Sequence, residues 1–161
     1  MVEPEVVQSV TLIIWGGGFD PRDVTRGLGM RPNRSWRQGD QKSYRGGDGV
    51  VRHFTSRDEW SGWKKWSTGR GTRVSLERQL RRWVTRLGPK ADALRGLRRR
   101  GISMELNCCL VASGSVRTQL PPDLLAGIGR LGLGLKITWY ADERPAIELA
   151  ASSVRPVTRR D

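Results

Sequence analysis

Three tryptophans and four basic side chains fall within fourteen residues, Trp60-Ser61-Gly62-Trp63-Lys64-Lys65-Trp66-Ser67-Thr68-Gly69-Arg70-Gly71-Thr72-Arg73. Rings interleaved with cations suit single-stranded nucleic acid, whose bases stack on π faces while its phosphates meet the charges. The same residue types also build an ordinary core, with rings inward and charges solvated. Strand geometry weighs one reading against the other. In an extended chain Trp60, Gly62, Lys64 and Trp66 share one face, and Trp63 and Lys65 the other. That mixture predicts a core position for Trp63 and an exposed one for Trp66, beside Lys64. Trp36 stands between Arg34 and Arg37 with the same two readings, because a guanidinium group stacked on an indole also orders a loop.

The arginines say more. The formal charge is +13 and the isoelectric point about 11.2. Of 29 basic residues, 24 are Arg and 5 are Lys. Such a balance attracts phosphate polymers, anionic membranes or an acidic protein; it also follows from coding composition alone. Arg78, Arg81, Arg82 and Arg86 populate the outer face of an expected helix, with Arg70 and Arg73 just before it, and only Glu77 answers them. Arg95, Arg98, Arg99 and Arg100 sit at a helix C-terminus, where cations complement the macrodipole. The expected partner-binding set is therefore Arg70, Arg73, Arg78, Arg81, Arg82, Arg86, Lys64, Trp66 and Trp36.

Signatures of catalysis are sparse. Gly16-Gly17-Gly18 lies between an expected strand and helix, where a phosphate cradle belongs, but no Gly-Lys-Ser/Thr follows and the spacing is not a dinucleotide fingerprint. His53 is the sole histidine, with no evident acid to orient it. One His and two adjacent cysteines do not supply metal-ligand spacing. Cys109 beside arginines is a conceivable nucleophile; small strand residues are the simpler reading of Cys108 and Cys109. The expectation is a non-enzymatic protein with no metal and no cofactor. Residues 1–9 lack a signal-peptide pattern, and no apolar run reaches a membrane span. Adjacent strand residues point to opposite faces, which disfavours a Cys108–Cys109 disulfide. A reduced, cytoplasmic protein is expected.

The elements that must position these residues follow from periodicity. Val10 to Trp15 reads as a strand buried on both faces. Asp20-Pro21 opens a helix with Val24 and Leu28 inward, and Gly29 stops it. Gly46-Gly47-Asp48-Gly49 is a turn between two extended segments, 43–45 and 50–54, and another strand is expected near 63–67. Ser75 begins a helix whose Leu76, Leu80, Trp83, Val84 and Leu87 form one stripe, closed by Gly88-Pro89. A second helical piece runs from about 90 to 100, with Ala91, Leu94 and Leu97 inward. Ile102 to Val111 alternates as a half-buried strand. Pro121-Pro122-Asp123 opens a helix with Leu124, Leu125, Ile128 and Leu131 inward. In the last strand Leu133, Leu135, Ile137 and Trp139 alternate with Lys136, Thr138 and Tyr140. A turn of helix is expected at 147–151 and a frayed basic tail at 154–161.

Phe19-Asp20-Pro21-Arg22-Asp23-Val24-Thr25, Leu28-Gly29-Met30-Arg31-Pro32, Arg34-Ser35-Trp36-Arg37-Gln38-Gly39-Asp40, Ser61-Gly62-Trp63 before a long helix, and a late helix leading into Leu133 to Tyr140 occur in an order that resembles bacterial domain-of-unknown-function family 4279. The Ser-Trp-Arg-x-Gly-Asp run is the most specific of these motifs. The resemblance covers roughly residues 8–142. It implies a small α+β organisation and no particular activity. Domains of this kind are similar to immunity proteins encoded beside toxins. Segment 41–59 looks inserted relative to the family, and the strong basicity departs from it.

The expected architecture is one α+β domain over residues 10–142, after a flexible N-terminus at 1–9 and before a basic tail at 143–161. It has a largely antiparallel sheet of four to six strands, with two or three helices on one face, built from two ferredoxin-like βα halves. The expected function is binding of an acidic macromolecular partner, as by an immunity-type inhibitor. The alternative is nucleic-acid binding through an Arg-rich surface with exposed Trp.

Overall fold

The computed structural model describes residues 7–45, 48–67, 74–112 and 117–141. The elements run β1 (Val7–Gly16), α1 (Pro21–Leu28), β2 (Arg34–Trp36), β3 (Gln41–Arg45), β4 (Val51–Arg57), β5 (Ser61–Trp66), α2 (Leu76–Leu87), α3 (Ala91–Arg99), β6 (Ser103–Ala112), α4 (Pro122–Arg130) and β7 (Gly134–Ala141). A 3-10 turn over Gly88–Lys90 joins α2 to α3, so the two form one bent helical path at Pro89. Helical turns at 147–151, the tail at 143–161, Arg70 and Arg73 lie outside the described residues.

Local chemistry sets the helix ends. Asp20 accepts a hydrogen bond at 2.9 Å from the Arg22 N–H, Pro21 occupies the first turn, and Gly29 leaves the helix at φ 63°. That left-handed conformation is open to glycine at little cost. Ser75 caps α2 by accepting from the Arg78 N–H at 3.3 Å.

Five strands form one sheet in the order β2-β5-β1-β6-β7. β1 pairs antiparallel with β5 and β6, and β2 antiparallel with β5. β6 and β7 are parallel, with α4 as the crossover. The architecture is thus α+β, with a mixed, mostly antiparallel sheet and three helical units. The two expected halves do lie side by side through β1 and β6. In both, the strand after the helix runs in the direction of the first strand; β7 pairs directly with β6, whereas β5 is inserted between β1 and β2.

One face of the sheet carries the core. Val10, Leu12 and Ile14 from β1, Trp63 from β5, and Met104, Leu106, Cys108 and Leu110 from β6 pack under Leu76, Leu80, Trp83 and Leu87 of α2, Leu94 and Leu97 of α3, and Leu124 and Ile128 of α4. Buried apolar area of this kind, at roughly 25 cal/mol per Å², is the main stabilising contribution. Gln79 is also buried. Its amide donates to the carbonyls of Gln8 and Val74 at 3.1 and 3.0 Å and accepts from the Ser67 hydroxyl at 2.8 Å. It locks the start of α2 onto the ends of β1 and β5.

Four expectations change. β1 starts at Val7 and is buried on one face only, since Thr11, Ile13 and Trp15 alternate with the core residues and remain half-exposed. The helices cover a single side, so a continuous apolar run did not require two. Leu125 is 44% exposed, because the inner face of α4 uses Gly127, which fits tightly against Val84 of α2. Ile137 and Trp139 are exposed, since β7 is the sheet edge and the described helices leave that part of it uncovered. The two extended segments expected around the 46–49 turn do pair, as a separate two-stranded sheet of β3 with β4; what changes is that every residue of β4 is exposed, where a hairpin with one exposed face was expected. No helix among the described residues is long and apolar enough to cross a membrane.

Candidate functional site: the open face of the sheet

Among the described residues all helices lie on one side of the sheet and none covers the other, and alternation decides what that other side shows. Side chains directly opposite one another on paired strands share a face. The register therefore places Trp66, Thr11, Asn107 and Lys136 in one row across β5, β1, β6 and β7. A second row runs Arg34, Lys64, Ile13, Glu105 and Gly134, and a third Trp36, Gly62, Trp15 and Ser103. Cys109 lies between Ser9 and Thr138, and Tyr140 stands opposite Val111. A trough of about 500 Å³ runs over this surface, with Lys64 and Trp66 on one flank and Lys136 and Tyr140 on the other. Ser9, Thr11, Asn107 and Thr138 line its floor.

Cations crowd one end. Arg34 Cζ and Lys64 Nζ lie 5.4 and 5.3 Å from the Trp36 ring centroid, within range of the ring's negative face. Arg34 also donates to the Ser43 carbonyl at 2.6 Å. Partial burial of Lys64 and the neighbouring Arg34 charge push the Lys64 ammonium below its ordinary value, with Glu105 opposing them. An anion laid against this pair offsets the repulsion between the two cations.

A second constellation gathers the motifs that carry the family resemblance. Arg37 donates to the Asp20 carboxylate at 2.6 Å. The Gly18 N–H donates to Gln38 Oε1 at 3.0 Å, and the Gln38 N–H to the Ser61 hydroxyl at 3.0 Å. Arg37 N–H donates to Asp40 at 2.7 Å, Trp36 Nε1 to the Trp60 carbonyl at 2.9 Å, and Trp63 Nε1 to the Thr25 hydroxyl at 3.1 Å. Gly18, Asp20, Arg37, Gln38 and Ser61 of this constellation, with Phe19, line a cleft of about 420 Å³. The Arg22 backbone N–H and the Arg37 guanidinium hold the Asp20 carboxyl below its ordinary value. Asp20 is thus an anion at neutral pH, committed to its cap and its ion pair, and poorly suited to donate a proton. The glycine run serves the same junction, since Gly18 is spoken for by Gln38.

Residues 5–142 match the model of the family described as Domain of unknown function (DUF4279). The chain belongs to this family. No curated protein and no solved structure matches it. In this DUF4279 domain the motif residues make short links, Arg37 with Asp20, Gln38 with Ser61, Trp36 with the Trp60 carbonyl and Trp63 with Thr25, which tie α1, the loop after β2 and β5 into one unit.

The structure divides the expected binding residues of the DUF4279 domain between two surfaces. Trp36, Lys64 and Trp66 lie on the open face, and Trp63 is fully buried, as expected; Trp66, expected to be exposed, is half-buried, and Trp60 is the exposed tryptophan of that stretch. Arg78, Arg81, Arg82 and Arg86 belong to α2 in the helical layer. Arg81 donates to Glu77 and to Asp123 of α4, both at 2.8 Å, so a second acid besides Glu77 answers the α2 arginines. Those pairs raise the Arg81 pKa and lower that of Asp123. Arg86 stacks 5.9 Å from the Trp83 ring centroid, while Arg78 and Arg82 are exposed. Sequence reasoning did not assign Arg34, Trp15, Lys136 or Tyr140 to a site. Alternation had already put Lys136 and Tyr140 on one face of β7, but which face is bare follows only from the strand order. His53 is exposed on β4. Cys108 is buried and its thiol is pushed up to about 12 by burial; Cys109 reaches the trough. Among the described residues no group of three or more His, Cys, Asp or Glu side chains is placed to hold a metal ion.

Proposed function

We propose that the protein is a non-enzymatic binding protein that engages an acidic macromolecular partner through the open face of its sheet. The observation that carries this reading is the charge of that face. Arg34, Lys64 and Lys136 stand there against Glu105, the one acid among its described side chains. An immunity-type inhibitor that covers an acidic surface of a toxin is the protein-partner form of this role. Nucleic-acid binding is the second reading, favoured by Trp66 and Tyr140 on the two flanks of the trough.

Retention on an immobilised polyanion tests it. The full chain should be retained at low salt and released as salt screens the charges. Lys64→Gln with Lys136→Glu should weaken retention strongly, and Arg78→Glu with Arg82→Glu much less. Equal retention of the parent and the sheet-face variant, with both folded by circular dichroism, would refute the assignment.

A further inference from the structure

We propose that the pocket between α2 and the end of β5 binds a phosphate group, free or as a small monoester, through the Trp83 indole N–H and the guanidinium groups of Arg82 and Arg86. The site belongs to the helical layer. It goes beyond the reading of the open face and does not depend on it.

Helical spacing builds the pocket. Gln79, Arg82, Trp83 and Arg86 stand at i, i+3, i+4 and i+7 of α2 and so share one face of it. With Ser67, just past β5, they line a pocket of about 120 Å³. Its frame is held by the fold itself. The Ser67 N–H donates to the Val10 carbonyl at 2.9 Å and the Ser67 hydroxyl to Gln79 Oε1 at 2.8 Å. The Gln79 amide is spent on the carbonyls of Gln8 and Val74. Trp83 is packed into the core at 3% exposure.

The capacity left over is that of donors. The Trp83 Nε1–H is buried and meets no acceptor among the described residues. A buried donor without a partner is costly, so an acceptor that reaches it is favoured. Arg82 and Arg86 form no ion pair among the described residues, whereas Arg81 beside them is answered by Glu77 and Asp123. Arg86 lies over the Trp83 ring, 5.9 Å from its centroid, which keeps its charge at the pocket. One N–H and two unanswered guanidinium groups repel cations and reward an anion rich in acceptors.

Charge and size select phosphate. A phosphate monoester carries about −1.5 to −2 charge at neutral pH and three acceptor oxygens, against the single charge and two oxygens of a carboxylate. Guanidinium groups match it with paired N–H donors. Pockets for drug-sized molecules run to roughly 300–1,000 Å³, and one water needs about 10–15 Å³. The 120 Å³ found here suits a single phosphate head, with the organic part of a monoester left outside.

The test uses the full chain with isotope-labelled tryptophan, followed by nuclear magnetic resonance. It is titrated with inorganic phosphate, glycerol phosphate and acetate at constant ionic strength. One of the seven indole N–H signals, the one missing from Trp83→Phe, should move and saturate with phosphate. Arg82→Gln and Arg86→Gln should each weaken binding by about tenfold, the scale of one lost hydrogen bond to a charged group. Both side chains are exposed, so these variants carry the test if Trp83→Phe fails to fold. Lys64→Gln with Lys136→Gln should bind phosphate like the parent. Saturation by glycerol phosphate as well assigns the site to monoesters, and saturation by inorganic phosphate alone assigns it to the free ion. Acetate bound as tightly as phosphate, a shift that never saturates, or parental affinity in both arginine variants would overturn the proposal. So would phosphate binding lost in the Lys64/Lys136 variant, which would place the ion on the open face instead.

Discussion

The indole of Trp36 lies flat on Gly62, the residue opposite it on β5, and a Cβ at Gly62 would overlap the ring. Glycine is required here for close approach, not for an unusual backbone angle. The contact seats Trp36 so that its Nε1 reaches the Trp60 carbonyl at 2.9 Å, while Lys64 and Arg34 lie over the ring. Gly62→Ala must displace Trp36. It should lower stability by roughly 1–3 kcal/mol, as for other overpacked sites, and shift the tryptophan emission. An unchanged denaturation midpoint would contradict this geometry.

Gln79 is a polar residue inside the apolar stripe of α2, held by the carbonyls of Gln8 and Val74 and the Ser67 hydroxyl. Gln79→Leu keeps the bulk and removes all three partners. The expected loss is roughly 1–3 kcal/mol, because the groups left behind stay desolvated. Arg78→Leu, one position away and exposed, should stay within about 0.5 kcal/mol of the parent. Urea denaturation of the two variants side by side decides the point.

The two cysteines should behave differently although they are neighbours in sequence. Cys109 faces the trough, and Cys108 is buried with its thiol pushed up to about 12 by burial. Since the thiolate is the reactive form, a thiol reagent near neutral pH should modify one cysteine in the native protein and both in denaturant. Equal rates at both thiols in the native protein would rule out this placement.

Acid should weaken the fold through its carboxylates. Asp123 is held below its ordinary 3.8 by the Arg81 hydrogen bonds, Asp20 by the Arg22 backbone N–H and Arg37, and Asp48 by Arg52 and the Val50 N–H. A depressed folded-state pKa means stability that is complete above the unfolded value and lost as pH falls through the folded one. The denaturation midpoint should therefore be flat above about pH 5 and drop below the ordinary 3.8. Asp123→Asn should lower the midpoint at neutral pH and reduce the acid-induced drop. A variant with the parent's full acid slope would show that the Arg81–Asp123 bridge contributes nothing measurable.

Much of this protein is local, and what is local was legible in the chain. Asp20-Pro21 and Gly29 bound α1, because caps and positive-φ glycines act over a few residues. The stripe of Leu76, Leu80, Trp83 and Leu87 forms α2, because a helix repeats every 3.6 residues whatever surrounds it. The alternation from Ile102 to Leu110 forms β6 and separates Cys108 from Cys109 for the same reason. The order of the motifs sufficed to suggest the DUF4279 family.

Only tertiary structure decided the site. Whether Thr11, Ile13 and Trp15 face a second layer or open space depends on where four helices land, and strand periodicity is the same in either case. Arg34, Lys64 and Lys136 come together because β2, β5 and β7 belong to one sheet, a pairing made by hydrogen bonds between strands up to about a hundred residues apart in sequence. Arg81 and Asp123 meet for an equally non-local reason, the packing of α2 against α4. The arginine run of α2 is a property of the sequence. The cationic, aromatic face of the sheet is a property of the fold, because chain periodicity sets which side chains share a strand face and only strand order sets which faces lie side by side.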